Sequence, residues 1–149
     1  DVDGNSGFTL VERKEMGLYP VGDYLTSVND MIRFFQMVMN QGELDGEIIL
    51  SPASVEEMLA AHQKEDITVL DSDHDNQGVF WWHESNLLGA PPKVKGHLGG
   101  DYGIFSAAWF NPKNGLAYIL LSNTGRQVEN ADAYIYIWQS LFKYGKKLD

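Results

Sequence analysis

The chain has 149 residues, of which 44% are hydrophobic and 12% aromatic, and a formal net charge of −10. This length and composition predict a single globular domain, residues 1–149, with a buried core. The acidic balance argues against binding to nucleic acid or to an anionic membrane surface, because both require clustered Lys and Arg. The sequence contains no cysteine, which excludes disulfides, thiolate catalysis and cysteine-based zinc sites. No segment approaches the ~18 apolar residues of a membrane span, and none resembles a signal peptide.

The first strong helix signal follows an N-terminal loop in which Phe8–Val11 has the composition of a short edge strand. Ser27 is a favoured N-cap residue, and Asp30 stands three residues later, where its charge suits the helix dipole. Gly42 is the predicted stop. The apolar residues between these signals recur at the spacing of one helical face, which predicts a core helix. They are Val28, Met31, Ile32, Phe35, Val38 and Met39.

A second, shorter helix is predicted after a tight connection at Gly42–Gly46 and an extended run at Glu47–Leu50. Ser51 can cap this helix, and Pro52 suits its first position. One amphipathic face is predicted, formed by Val55, Met58, Leu59 and His62.

Beyond it, residues 63–77 are polar and predicted to form a loop. Gly78–Glu84 has the composition of a strand, and Leu87–Lys93 is a link. The last helix is predicted at Asn130–Lys147, with lysines near its end where the dipole favours cations. Its apolar stripe comprises Ala131, Tyr134, Ile135, Trp138, Leu141 and Phe142.

The rest of the chain is organised around the stretch from Val94 to Asn123. We predict one short strand carrying His97, then a hairpin of two longer strands at Gly103–Phe110 and Leu116–Leu121. Asn111–Gly115 between them has turn chemistry. The elements together predict an α+β fold, an antiparallel sheet of about three to five strands with helices packed against it.

Two other groups of polar residues are possible sites. The run Asp71–Gly78 places oxygens at alternate positions like the start of a calcium loop, but Asn76 and Trp82 stand where such a loop needs Gly and Glu. A solvated acidic loop is therefore the favoured interpretation. His62 and His83 lie on apolar-rich elements and are interpreted as packing residues, and no zinc-binding histidine spacing occurs. We predict no metal and no cofactor.

His97 has a different setting, because glycines crowd around it in Gly96-His97-Leu98-Gly99-Gly100. Such a cluster indicates that something approaches the backbone closely. His97 could then hydrogen-bond a substrate or an intermediate. The backbone N–H of Gly100 could donate to a developing oxyanion. The alternative is a turn histidine whose glycines serve backbone geometry alone.

Five segments, in order, resemble class C β-lactamases and related serine hydrolases of the penicillin-binding-protein type. The Tyr-Pro-x-Gly loop and following helix correspond to Tyr19–Phe35, and the next part of that family corresponds to Asn40–Met58. Gly96–Gly100 is similar to the H-x-G motif that many members carry in place of K-T-G. The last two segments are Asn111–Gly115 and Leu120–Asn123.

This resemblance implies a serine hydrolase that works through a covalent acyl-enzyme. It implies that His97 faces the cleft, that Gly100 is the oxyanion donor, and that Leu98 and Gly99 occupy substrate-binding positions of the motif. Leu98 departs from the usual Thr or Ser, which removes a hydroxyl that would help to hold a substrate carboxylate. The departure disfavours β-lactam recognition more than ester or peptide chemistry. The implied partner is a small acyl substrate or a peptide, and the implied location is periplasmic or secreted.

The family's S-x-x-K and Y-x-N motifs would precede the matched segments, and neither is found there. A literal Ser140-Leu-Phe-Lys143 stands in the last helix, in the wrong order, and Ser27 is better explained as a helix cap. Because the sequence also begins at Asp1 without methionine, we expect a C-terminal segment of a hydrolase that is inactive alone. Such a segment would expose an apolar face that favours homo-oligomers. The alternative is a non-catalytic module that binds a ligand or a protein.

Overall fold

A computed structural model describes residues 22, 24–62, 76–84, 93–101, 103–123, 131–145 and 147. The predicted strand at Phe8–Val11, and most of the acidic loop and of the Leu87–Lys93 link, lie outside the described residues. The helices are α1 Val28–Met39, α2 Pro52–Leu59 and α3 Ala131–Gly145. The strands are β1 Glu43–Leu44, β2 Glu47–Ile48, β3 Asn76–Gln77, β4 Trp82–Glu84, β5 Val94–Asp101, β6 Ile104–Asn111 and β7 Leu116–Ser122.

Both predicted helix starts are confirmed. The Ser27 side chain caps α1 by accepting a hydrogen bond from the Asp30 N–H. In α2, the Ser51 side chain accepts in the same way from the Ser54 N–H, and Pro52 opens the helix. Both contacts satisfy N–H groups that have no carbonyl partner within the helix.

The end of α1 is set by a short chain reversal. The helix ends at Met39, and Gly42, with φ of 99°, donates its N–H to the Met37 carbonyl. A Cβ at Gly42 would overlap the Leu50 carbonyl, so glycine is required there. The chain then forms the β1–β2 hairpin, whose central residues Asp45 and Gly46 both have positive φ.

The main sheet has five strands in the order β3-β4-β5-β6-β7, and every neighbouring pair is antiparallel. The predicted α+β class and antiparallel sheet are thus confirmed. The β6–β7 hairpin closes through the predicted turn, where the Gly115 N–H donates to the Asn111 carbonyl. β6 lies between β5 and β7 and has buried side chains on both faces.

Alternation along β6 divides the core between two layers of helix. One face packs against α3, and its buried cluster comprises Val94, Phe105, Ala107, Trp109, Tyr118, Trp138 and Phe142. The other face packs against α1 and α2, and its buried cluster comprises Phe35, Met37, Val38, Val55, Trp81 and Phe110. The sheet is therefore covered on both sides, which fixes the positions of β5 and its glycines.

Three sequence predictions are wrong in detail. The strand that carries His97 is not short, because β5 has eight residues and pairs with β6 from Lys95 to Asp101. Gly78–Glu84 is not one strand. The Gly78 N–H donates to the Trp81 carbonyl, and Phe80 has φ of 66°, so this segment turns before β4 begins. His62 does not lie on the face of α2, because that helix ends at Leu59.

After this turn, Trp81 lies on the α1 side of the core, and the centroid of its ring is 5.0 Å from that of Phe110. The next residue, Trp82, packs on the α3 side. None of the helices in the described part of the chain is long and apolar enough to cross a membrane.

Candidate active-site strand

His97 lies in the middle of β5, opposite Ala108 of β6, and its side chain is exposed. On its other side, β5 pairs with β4 only over residues 94–96. Within the described residues, the edge of β5 from His97 to Asp101 therefore has no strand beside it. An open edge can accept an extended ligand through its backbone groups.

Two contacts fix the orientation of the His97 ring. The imidazole lies against the indole of Trp82, with 3.9 Å between ring centroids and 30° between planes. Its Nδ1 is 2.6 Å from the Leu98 carbonyl oxygen. A carbonyl can only accept a hydrogen bond, so Nδ1 carries the proton and the neutral ring has its lone pair on Nε2. His97 can therefore offer a hydrogen-bond acceptor or a base to a bound molecule.

The other three residues singled out in the motif have different surroundings. The Leu98 side chain packs against the core on the α3 side. A Cβ at Gly99 would lie 2.5 Å from the Ser106 hydroxyl oxygen, so a larger residue there displaces Ser106. At Gly100 a Cβ would lie 3.9 Å from the Ile104 carbonyl oxygen, which is an ordinary van der Waals contact. A glycine is thus not required at Gly100 by its neighbours.

A second polar cluster lies two residues before His97 on the same strand. The Lys95 ammonium donates to the Leu59 carbonyl oxygen at 2.6 Å and to Nε2 of His83 at 2.9 Å. Burial lowers the pKa of His83 to about 4, helped by the positive charges of Lys95 and His62. Burial also lowers the pKa of Lys95.

Sequence reasoning assigned His83 to packing and missed Lys95 altogether. The signal that joins these residues is the register of β4 against β5, in which His83 stands directly opposite Lys95. That register is a tertiary property, because β4 begins only after the Gly78–Trp81 turn.

Among the described residues, the side-chain hydrogen bond of His97 involves neither Ser27 nor Ser140. The Ser27 hydroxyl is exposed and bonds to the Asp30 carboxylate, as expected for a cap. Ser140 lies exposed on α3, which packs on the face of the sheet that also buries Leu98. Among the described residues, no cluster of three or more His, Asp or Glu could hold a metal ion.

The architecture defines a class: an antiparallel sheet covered by helices on both faces, with a glycine-flanked histidine on an exposed strand. The family model for β-lactamases matches residues 3–142. The chain belongs to the β-lactamase family. No curated protein matches the sequence.

Proposed function

We propose that this chain supplies the H-x-G strand of an acyl-transferring serine hydrolase site. The exposed His97 on the open edge of β5 is the observation that carries the proposal. An acyl group lying along this edge would meet backbone groups of β5 and the ring of His97 together. The match to the β-lactamase family supports hydrolase chemistry of this kind.

Gly100 is proposed as the oxyanion donor of this strand. Its Cβ position is uncrowded, so no side chain hinders a reacting carbonyl from approaching the backbone N–H. A backbone donor aimed at the developing negative charge stabilises the transition state. At Gly99, the preceding position of the motif, a side chain would displace Ser106.

The preferred substrate is an ester or a peptide without a carboxylate beside the reacting bond. When its ring is neutral, with Nδ1 donating to the Leu98 carbonyl, His97 presents the Nε2 lone pair, which repels a carboxylate and accepts from an N–H or O–H group. Leu98 offers no hydroxyl and packs its side chain against the core. Neither Leu98 nor the neutral ring of His97 provides the donor that a carboxylate requires.

We further propose that the nucleophilic serine and its base lie outside this segment, so that the chain alone is inactive. No S-x-x-K or Y-x-N motif precedes the matched segments in this sequence. The segment would then be the C-terminal part of the hydrolase. By the same family resemblance, we propose a periplasmic or secreted location.

Covalent labelling tests this proposal. The chain is incubated with a fluorophosphonate or a labelled penicillin, and its intact mass is measured. We expect no adduct on this chain, and an adduct on a serine of the protein encoded by the complete gene. A serine adduct on this chain alone would overturn the claim that its nucleophile lies elsewhere. Absence of an adduct in both would favour a non-catalytic binding module.

A further inference from the structure

Lys95 differs from the other lysines whose side chains the structure describes. Its side chain is half-buried and its amine has two neutral partners, the Leu59 carbonyl and the His83 imidazole. Within the described residues, Lys95 forms no ion pair. The comparison lysines are all exposed: Lys93, Lys113, Lys143 and Lys147.

These surroundings make the neutral form of the Lys95 amine more populated than that of an exposed lysine. A carbonyl and a neutral imidazole stabilise an ammonium less than a carboxylate would, and burial adds a desolvation cost to the charged form. The lowered pKa of Lys95 agrees with this geometry. Only the neutral amine is a nucleophile, so a lysine held in this way is activated.

We propose that Lys95 is a site of covalent acylation by small activated esters or thioesters. The amine nitrogen attacks the carbonyl carbon, and a C–N bond forms. The C–O or C–S bond to the leaving group then breaks, and the leaving group departs with the electron pair. The nitrogen loses one proton to water, and the leaving group takes up one proton from water. The products are an amide on Lys95 and a free alcohol or thiol.

Acylation has a consequence for both partners of the amine. It removes the positive charge that, after burial, contributes most to lowering the pKa of His83. The pKa of His83 therefore rises when Lys95 is acylated. The Leu59 carbonyl also loses a charged hydrogen-bond donor.

The experiment compares two lysines in one peptide. The folded chain is treated with limiting p-nitrophenyl acetate at neutral pH, and acetylation of Lys95 and Lys93 is quantified by mass spectrometry of chymotryptic peptides. Lys93 is a matched control because it is exposed and two residues away. We expect Lys95 to react at least about threefold faster, since each unit of pKa changes the neutral fraction about tenfold.

In guanidinium chloride, the ratio of the acetylation rate of Lys95 to that of Lys93 should be close to one, because unfolding removes the environment that distinguishes the two amines. An equal or slower rate at Lys95 in the folded chain would overturn the proposal. It would leave the proposed hydrolase function untouched, since that function is tested by serine labelling.

A spectroscopic readout tests the contact between Lys95 and His83. In the acetylated wild-type chain, NMR titration should show a raised pKa for His83, and an unaltered titration would contradict the assigned contact.

Discussion

β5 contains three glycines, and the surroundings of two of them differ in whether they leave room for a side chain. A Cβ at Gly96 would overlap the Ala108 carbonyl and come close to the Trp109 ring. A Cβ at Gly100 would meet only the Ile104 carbonyl, at 3.9 Å. The first glycine is therefore needed for the core, and the second is available for function.

This difference predicts unequal effects of the same substitution. Gly96→Ala should lower the free energy of unfolding by about 1–3 kcal/mol, as overpacked core positions do. Gly100→Ala should change it by less than about 0.5 kcal/mol. Urea unfolding of the two variants measures both values. A large loss of stability in Gly100→Ala would show that the surroundings of this residue, and not the approach of a ligand, require glycine.

The tautomer of His97 is a second prediction at the level of single residues. The contact between Nδ1 and the Leu98 carbonyl should hold the proton on Nδ1 when the ring is neutral. Long-range ¹H–¹⁵N NMR spectra distinguish the tautomers, and His97→Gln assigns the signal. A predominant Nε2–H form would contradict the acceptor role proposed for this ring.

His83 predicts a pH dependence of stability. Its pKa is about 4 in the folded chain and 6.5 in the reference state, so the unfolded chain binds more protons between these values. Stability should therefore fall as pH decreases from 6.5 towards 4. We expect a loss on the order of 1–2 kcal/mol, less than the full shift implies because the ring is partly exposed.

The check is chemical unfolding at several pH values in wild type and His83→Gln. The contribution of His83 is the part of the pH dependence that disappears in the variant. Equal slopes for the two proteins in this pH range would mean that the imidazole is not held neutral by burial beside Lys95.

At the level of secondary-structure elements, the starts of α1 and α2 follow from local sequence signals. Ser27 caps α1 through a hydrogen bond to a residue three positions away, and Ser51 does the same for α2. Contacts of this kind depend on a few neighbouring residues, so the sequence predicted both starts. The strand predicted at Gly78–Glu84 is wrong in its first half, because the chain turns there: the Gly78 N–H donates to the Trp81 carbonyl and Phe80 has a positive φ.

The cap of α1 gives a prediction at this level. Ser27→Ala should lower the free energy of unfolding by about 1 kcal/mol, because the Asp30 N–H loses its acceptor. Thr26→Ala is the matched control, since Thr26 is the preceding residue and its hydroxyl donates to the Ser27 carbonyl and not to a helix N–H. Thermal or urea unfolding measures both. Equal effects would show that the hydroxyl of Ser27 does not act as a cap.

At the level of the whole molecule, apolar groups remain on the surface. β7 pairs only with β6 in the described residues, and its sequence contains no charged residue. Long uncharged strand edges favour pairing with another chain. Further exposed apolar side chains lie on and around α1 and β2, among them Tyr24, Leu25, Ile32, Phe34, Ile48 and Ile49.

We therefore propose that copies of this chain associate through the β7 edge. Light scattering should show species larger than a monomer, increasing with salt as the net charge of −10 is screened. Leu121→Lys should reduce this association, because Leu121 is exposed on β7 and a charge protects a strand edge. Leu25→Lys, an exposed leucine near α1, is the control. A monodisperse monomer at high concentration would contradict the proposal.

The sequence by itself determined the helix starts, the β6–β7 hairpin, the α+β class and the family likeness. These features arise from contacts between residues close in the chain, or from motifs kept in order. Only the tertiary structure decided that Leu98 packs against the core and that Lys95 meets His83 and Leu59, which are 12 and 36 residues away. The physical reason is that strand register and side-chain burial depend on distant partners, which local composition does not specify.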